Sequence, residues 1–138
     1  MKKVLVVIIS LVLLTGCGSK TLVCSKVEDD TETYKISGDH TFVFNGSNIK
    51  DFKSTLSIEL KDDEFVKIED LEDILKEQEK EFSSEGFNTE IKTEGNLSTL
   101  VVSSEGDSKN LVNKFFYTED YSYNLVKKEL EKEGYTCK

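Results

Sequence analysis

Few side chains in this chain of 138 residues combine a reactive type with a useful spacing. The three cysteines are Cys17, Cys24 and Cys137, and His40 is the only imidazole. No two cysteines have the C-x-x-C spacing of redox and zinc sites, and the G-x-S-x-G, H-E-x-x-H, P-loop and G-x-G-x-x-G patterns are missing. A histidine-based catalytic triad is therefore not expected. His40, beside a strand start predicted at Asp39, is interpreted as an exposed turn residue.

Carboxylates offer a second kind of site. The chain has 27 acidic and 18 basic residues and a formal charge of −9, so it lacks the positive field that binds nucleic acid. The runs Asp62-Asp63-Glu64 and Glu69-Asp70 could bind a hard cation such as Ca²⁺, but the EF-hand spacing is absent. Acidic residues at a helix start are also stabilised by the helix dipole. We therefore expect no metal site, no cofactor and no nucleic-acid partner.

Aromatic residues form the remaining candidate surface. Phe115 and Phe116 lie on the apolar side of a short predicted helix, whereas Tyr117 and Tyr121 lie in the link that follows it. Aromatic rings with polar tips are favoured at binding surfaces. Packing in the core or at its edge is the alternative. Tyr117 and Tyr121 are the predicted binding residues.

The N-terminus has the composition of an export signal. Two lysines precede an apolar run over residues 4–14, which has signal-peptide length and is too short to span a membrane as a mature helix. It ends in Leu14-Thr15-Gly16-Cys17, which resembles the lipobox of bacterial lipoproteins. The resemblance implies that the chain is cut after Gly16, that Cys17 carries a diacylglyceryl thioether, and that the new amino group can also be acylated. An ordinary secretory signal with an incidental cysteine is the alternative.

This motif predicts the organisation of the chain and its location. Residues 1–16 are the signal peptide, residues 17–20 a lipidated tether, and residues 21–138 a single domain. At least two acyl chains would hold Cys17 at the extracytoplasmic face of the cell membrane, while the acidic domain is repelled by anionic lipid. We expect a non-enzymatic module of the cell envelope that binds an envelope protein or a small ligand. A carboxylate- or cation-dependent accessory enzyme of the envelope is the alternative.

Cys24 and Cys137 remain once Cys17 carries lipid, and they lie near the two ends of the mature chain. An exported compartment permits disulfides. If the two ends belong to neighbouring strands, a bond would close a loop of 113 residue steps, for which chain entropy suggests about 4.7 kcal/mol. Two free thiols, a redox pair or a metal site are the alternatives. The spacing favours a structural disulfide.

The hydrophobic pattern predicts an α+β domain. Strands are expected at residues 21–27, 34–36, 42–44, 52–60, 87–93 and 97–103. Hairpins are expected at Asn45-Gly46 and Gly95-Asn96. Helices are expected at residues 68–83, from Asp107 or Ser108 to 116, and at about 122–133, followed by an extended tail at 135–137. This order predicts a mainly antiparallel sheet, with two hairpins or a meander, and two or three helices on one face.

The first of these helices is predicted to bury four apolar residues that recur at helical spacing, namely Leu71, Ile74, Leu75 and Phe82. The final helix is predicted to end before Gly134, which suits the position after a helix C-cap.

A lipobox cysteine, an early strand, a meander, a helix, a second hairpin and a closing helix together resemble the small YehR-type bacterial lipoproteins. Two segments carry the likeness, Leu14-Thr15-Gly16-Cys17 and Leu130-Glu131-Lys132-Glu133-Gly134-Tyr135. The family implies a single α+β domain of unassigned biochemical role. It offers no catalytic residues, and it does not require the pairing of Cys24 with Cys137.

Overall fold

The computed structural model describes residues 19–64, 66–105 and 122–138. These ranges contain six strands and two helices. In chain order they are β1 (Ser19–Asp30), β2 (Tyr34–Asn45), β3 (Asn48–Leu60), α1 (Ile68–Ser84), β4 (Asn88–Glu94), β5 (Leu97–Ser104), α2 (Tyr123–Lys132) and β6 (Thr136–Cys137). The short helix predicted from Asp107 or Ser108 lies outside the described residues.

All six strands form one antiparallel sheet in the order β4-β5-β3-β2-β1-β6. The first three strands are a meander, the β4–β5 hairpin extends it on the β3 side, and β6 pairs with the outer edge of β1. The predicted α+β class with a mainly antiparallel sheet is confirmed. No helix within the described ranges has the length and apolar character needed to cross a membrane.

One face of the sheet is buried and the other faces solvent. Residues directly opposite each other share a face, and the row Leu22–Phe42–Phe52 crosses β1, β2 and β3 on the buried side. α1 packs mainly against β4 and β5, whereas α2 packs against β1 and β6. The two helices therefore cover opposite ends of the buried face, and the middle of the sheet lies between them.

Local sequence signals set the ends of most elements. The two hairpins have two-residue turns, with Gly46 at φ 63° and Gly95 at φ 61°. Both helices end in a Schellman motif, in which a glycine follows the C-cap and the next N–H reaches back five residues. The Phe87 N–H donates to the Phe82 carbonyl at 3.2 Å, and the Tyr135 N–H donates to the Leu130 carbonyl at 3.0 Å.

Three expectations need correction. β2 runs without a break from Tyr34 to Asn45, so the predicted turn beside Asp39 is wrong. β1 begins at Ser19, so the last two residues of the predicted tether belong to the strand. Ile74 is 53% exposed, because α1 rests mainly on two strands at one end of the sheet, β4 and β5, and its contact stripe is narrow.

Candidate functional site

The two ends of the described domain meet at a cysteine pair. Cys24 in β1 lies directly opposite Cys137 in β6, with a Cα–Cα distance of 4.1 Å and the sulfur atoms at disulfide distance. The neighbouring pair, Val23 and Lys138, exchanges both backbone hydrogen bonds at 3.1 and 2.8 Å. The cysteines thus occupy the pair without hydrogen bonds, where opposite side chains are closest. The structure brings this predicted pair together.

Tyr135 is held in place from both sides. The Schellman motif at the end of α2 precedes it, and the cysteine pair fixes the chain two residues later. Its hydroxyl donates to Glu28 Oε1 at 2.9 Å and lies 3.1 Å from His40 Nε2. A Cβ atom at Gly38 of β2 would lie 3.6 Å from this hydroxyl. This is an ordinary van der Waals distance, so the tyrosine hydroxyl lies directly over Gly38 of the sheet.

His40 is part of the buried face and not an exposed turn. It is 7% exposed, and its ring lies 5.0 Å from the ring of Tyr135 and 6.3 Å from that of Phe52, measured between centroids. The prediction was wrong because Gly38-Asp39 looks like a turn, whereas the strand continues through it. The missed signal is the parity of His40 with Phe42 and Phe44, which places all three side chains on the same face.

The hydrogen bonds among Glu28, Tyr135 and His40 determine which atoms carry the protons. The hydrogen bond from Lys26 lowers the pKa of Glu28, so Glu28 is an ionised acceptor, 2.9 Å from the lysine Nζ. The Tyr135 hydroxyl donates its one proton to this carboxylate. In its contact with His40, the hydroxyl oxygen must therefore be the acceptor and Nε2 the donor. Burial lowers the pKa of His40 to about 4. We therefore assign a neutral imidazole with its proton on Nε2.

Tyr135 also stays neutral near pH 7. Burial, reinforced by its hydrogen bond to Glu28, raises its pKa to about 12. A group shuttles protons best when its pKa lies near the working pH. Lys26, Glu28, Tyr135 and His40 form a line of hydrogen-bonded side chains. This line therefore orients its members and is poorly suited to proton transfer at neutral pH.

A partly open cavity of about 160 Å³ lies beside this line, between α1 and the middle of the sheet. Its apolar walls come from both layers. The lining residues are Glu28, Gly38, His40, Ser54, Thr55, Leu56, Gln78, Phe82, Leu100, Val102 and Tyr135. This volume is close to that of the dry cavities that bind a benzene-sized molecule. The cavity is a candidate site for a small ligand.

A wider depression of about 690 Å³ lies around the solvent face of the sheet. Its lining includes Thr41, Lys50, Asp51, Lys53 and Ser103. It is broad and open to water, whereas good ligand sites enclose most of their ligand. The smaller cavity is therefore the better candidate.

The acidic runs serve local structure. Asp62 Oδ1 accepts from the Glu64 N–H at 3.0 Å, and Asp70 Oδ2 accepts from the Lys67 N–H at 3.2 Å. Both carboxylates thus support the chain that leads into α1. Within the described ranges, no group of three or more histidine, cysteine or acidic side chains could hold a metal ion.

Three acids of the described chain have shifted pKa values, and all three are lowered. They are Glu28, Asp30 and Glu72, and the largest cause in each case is a hydrogen bond from a lysine, Lys26, Lys61 and Lys76 respectively. A general acid needs the opposite shift. These carboxylates behave as partners in ion pairs.

The other predicted site residues lie outside the described ranges. Cys17, the predicted lipidation site, and Tyr117 and Tyr121, the predicted binding residues, are among them, as is the rest of the aromatic cluster before Ser122. The likeness to YehR-type lipoproteins also stays a prediction. No protein-family model, no curated protein and no solved structure matches this chain.

Proposed function

We propose that this protein is a bacterial lipoprotein, anchored by lipid on Cys17 to the extracytoplasmic face of the cell membrane, and that its domain is a non-enzymatic binding module. The observation that carries the proposal is the Cys24–Cys137 pair at disulfide distance. Structural disulfides persist in exported compartments and are rare in the cytosol. The pair and the lipobox are independent features, and they indicate the same compartment.

The start of β1 limits how far the anchored domain can stand from the membrane. Only Gly18 separates Cys17 from Ser19, the first residue of β1, and one residue spans at most about 3.6 Å. Ser19 pairs with Asn45 at the end of β2. In an anchored protein, the β2–β3 turn would therefore lie beside the lipid headgroups.

The titration behaviour of the site supports binding over catalysis. His40 has its pKa lowered to about 4 and Tyr135 has its pKa raised to about 12, so neither is tuned for acid–base work near neutral pH. A carboxylate-dependent enzyme would need convergent acids with raised pKa values. The shifted acids of the described chain have lowered values instead.

The anchoring prediction is tested by Cys17→Ser. Serine has no thiol to receive diacylglycerol, so we expect this variant to incorporate no radiolabelled fatty acid and to be released from the membrane fraction. Cys137→Ser is the matched control, because it removes a thiol while leaving the lipobox intact, and it should keep the label. Labelled lipid on the Cys17→Ser protein would contradict the assignment.

The binding role is tested by replacing both Tyr117 and Tyr121 with alanine. Rigid aromatic side chains contribute much of the energy at interfaces, so capture of partners from the native envelope should fall at least about tenfold. Tm should stay nearly unchanged, since exposed positions usually cost less than about 0.5 kcal/mol. Tyr34→Ala serves as the control. Full capture by a stable double variant would move the site elsewhere, with α1 next to be tested.

A further inference from the structure

One serine side chain on the buried face of the sheet lines a cavity. Ser54 lies in β3 between His40 of β2 and Val102 of β5, and it is 7% exposed. Within the described ranges its hydroxyl has no hydrogen-bonding partner, and its oxygen keeps some surface that water or a ligand can reach. Such a hydroxyl can take its hydrogen-bonding partner from water or from a ligand in the cavity.

The same hydroxyl belongs to the lining of the cavity of about 160 Å³. Leu56, Phe82, Leu100 and Val102 form its apolar walls, and Ser54 stands among them. A cavity of about 150 Å³ holds benzene, whereas drug-sized ligands need about 300 Å³ or more. The occupant that fits is thus a molecule of about six to eight non-hydrogen atoms.

The charges around the cavity favour a neutral ligand. Lys26 is paired with Glu28 at 2.9 Å, so the one carboxylate of the lining already has its counter-charge. An anion would approach that carboxylate, and a cation would leave water for largely apolar walls. A neutral molecule avoids both costs, and a single hydroxyl on it would provide the partner that Ser54 lacks.

We infer that this cavity is a binding site for a compact neutral alcohol or phenol. Its ring or chain packs between Phe82 of α1 and the apolar residues of β3 and β5, and its hydroxyl exchanges a hydrogen bond with Ser54 Oγ. The inference rests on the proposed binding role and names the ligand class, while the test does not depend on the lipid anchor.

The test uses the purified full chain, with phenol and benzene as probes. Ligands of this size bind such cavities with Kd values on the order of 1 mM. We expect phenol to cause saturable NMR shifts at Ser54, Leu100 and Gln78 and to raise Tm, and we expect benzene to bind about tenfold more weakly. Ser54→Ala should bring the two affinities together, because it removes the hydroxyl with little change in volume.

A second variant fills the cavity. Ser54→Val should weaken phenol binding at least about tenfold and should itself unfold at a higher temperature, because it fills the cavity with apolar atoms. Ser57→Val is the matched control, since Ser57 lies three residues further along β3 on the opposite face and the affinity should not change. Absence of saturable shifts at the cavity residues overturns the inference, as does equal binding of benzene and phenol by the unmodified protein. Either result, with partner capture intact, leaves the proposed function standing.

Discussion

Replacing Cys137 with alanine should lower the free energy of unfolding by about 3–5 kcal/mol under non-reducing conditions. The bond to Cys24 closes a loop with a sequence separation of 113. Cross-linking so long a loop removes conformational freedom from the unfolded chain, and the chain-entropy relation gives about 4.7 kcal/mol. β6 has only two residues and pairs with β1 at two positions. The strand pairing of the C-terminal tail is therefore short, and the cysteine pair adds a covalent link to it.

Urea unfolding with and without reductant measures this contribution. Reductant should lower the midpoint of the unmodified protein to that of Cys137→Ala, and it should leave the variant unchanged. Replacing both Cys24 and Cys137 with alanine should cost little more than replacing Cys137 alone, because one bond is lost in either case. If the unmodified protein resists reductant and matches the variant in stability, the two thiols are not joined in solution.

Elements defined by local chemistry were predictable from the sequence. Asn45-Gly46 and Gly95-Asn96 mark tight hairpins because glycine adopts the positive φ that such turns require. α1 was predicted at residues 68–83 and spans Ile68–Ser84. In each case the signal lies within a few residues of the feature that it determines, so no knowledge of the rest of the fold is needed.

The burial of His40 was not predicted, because the segment around Gly38 and Asp39 can be interpreted either as a turn or as part of a strand. Gly38-Asp39 is typical of a turn, yet the sheet continues through it, since β2 is flanked along its length by β1 and β3. Pairing with two neighbours outweighs a weak turn signal. Once the strand is continuous, alternation alone places His40 beside Phe42 on the buried face.

The candidate site was beyond prediction for a different reason. Its hydrogen bonds join residues far apart in sequence: Tyr135 is 95 residues from His40 and 107 from Glu28. No spacing rule covers such distances. The predicted pairing of Cys24 with Cys137 brings the tail to β1, but the cavity also requires the position of α1 over the sheet, which depends on side-chain packing.

Acidification from pH 7 to pH 4 should cost the folded protein about 3 kcal/mol through His40 alone. Its pKa is lowered from 6.5 to about 4, chiefly by burial. Between these values the unfolded chain binds a proton that the folded chain does not, so stability falls as the pH falls. The contribution is complete above about pH 6.5 and is lost by about pH 4.

Glu28, the acid joined to His40 through Tyr135, titrates in a different range. Glu28 faces the imidazole through Tyr135, and its pKa lies below 4.5 because of the hydrogen bond from Lys26. An acid with a lowered pKa also loses stabilising energy as the pH falls, but the loss begins only near its unfolded pKa, which is 4.5 for Glu28. Asp39 and Glu28 both favour the imidazolium electrostatically, and burial outweighs them. The interval from pH 6.5 down to about 4.5 therefore reports mainly on His40.

His40→Gln isolates this effect, because the chain has no other histidine. A glutamine amide can donate to the Tyr135 oxygen as the imidazole Nε2 does, and it does not titrate. Urea unfolding at pH 7 and pH 4.5 should show the unmodified protein losing about 2–3 kcal/mol more than the variant. Equal losses in the two proteins would mean that folding does not lower the pKa of His40, and the proposed cost of burying its charged form would have to be abandoned.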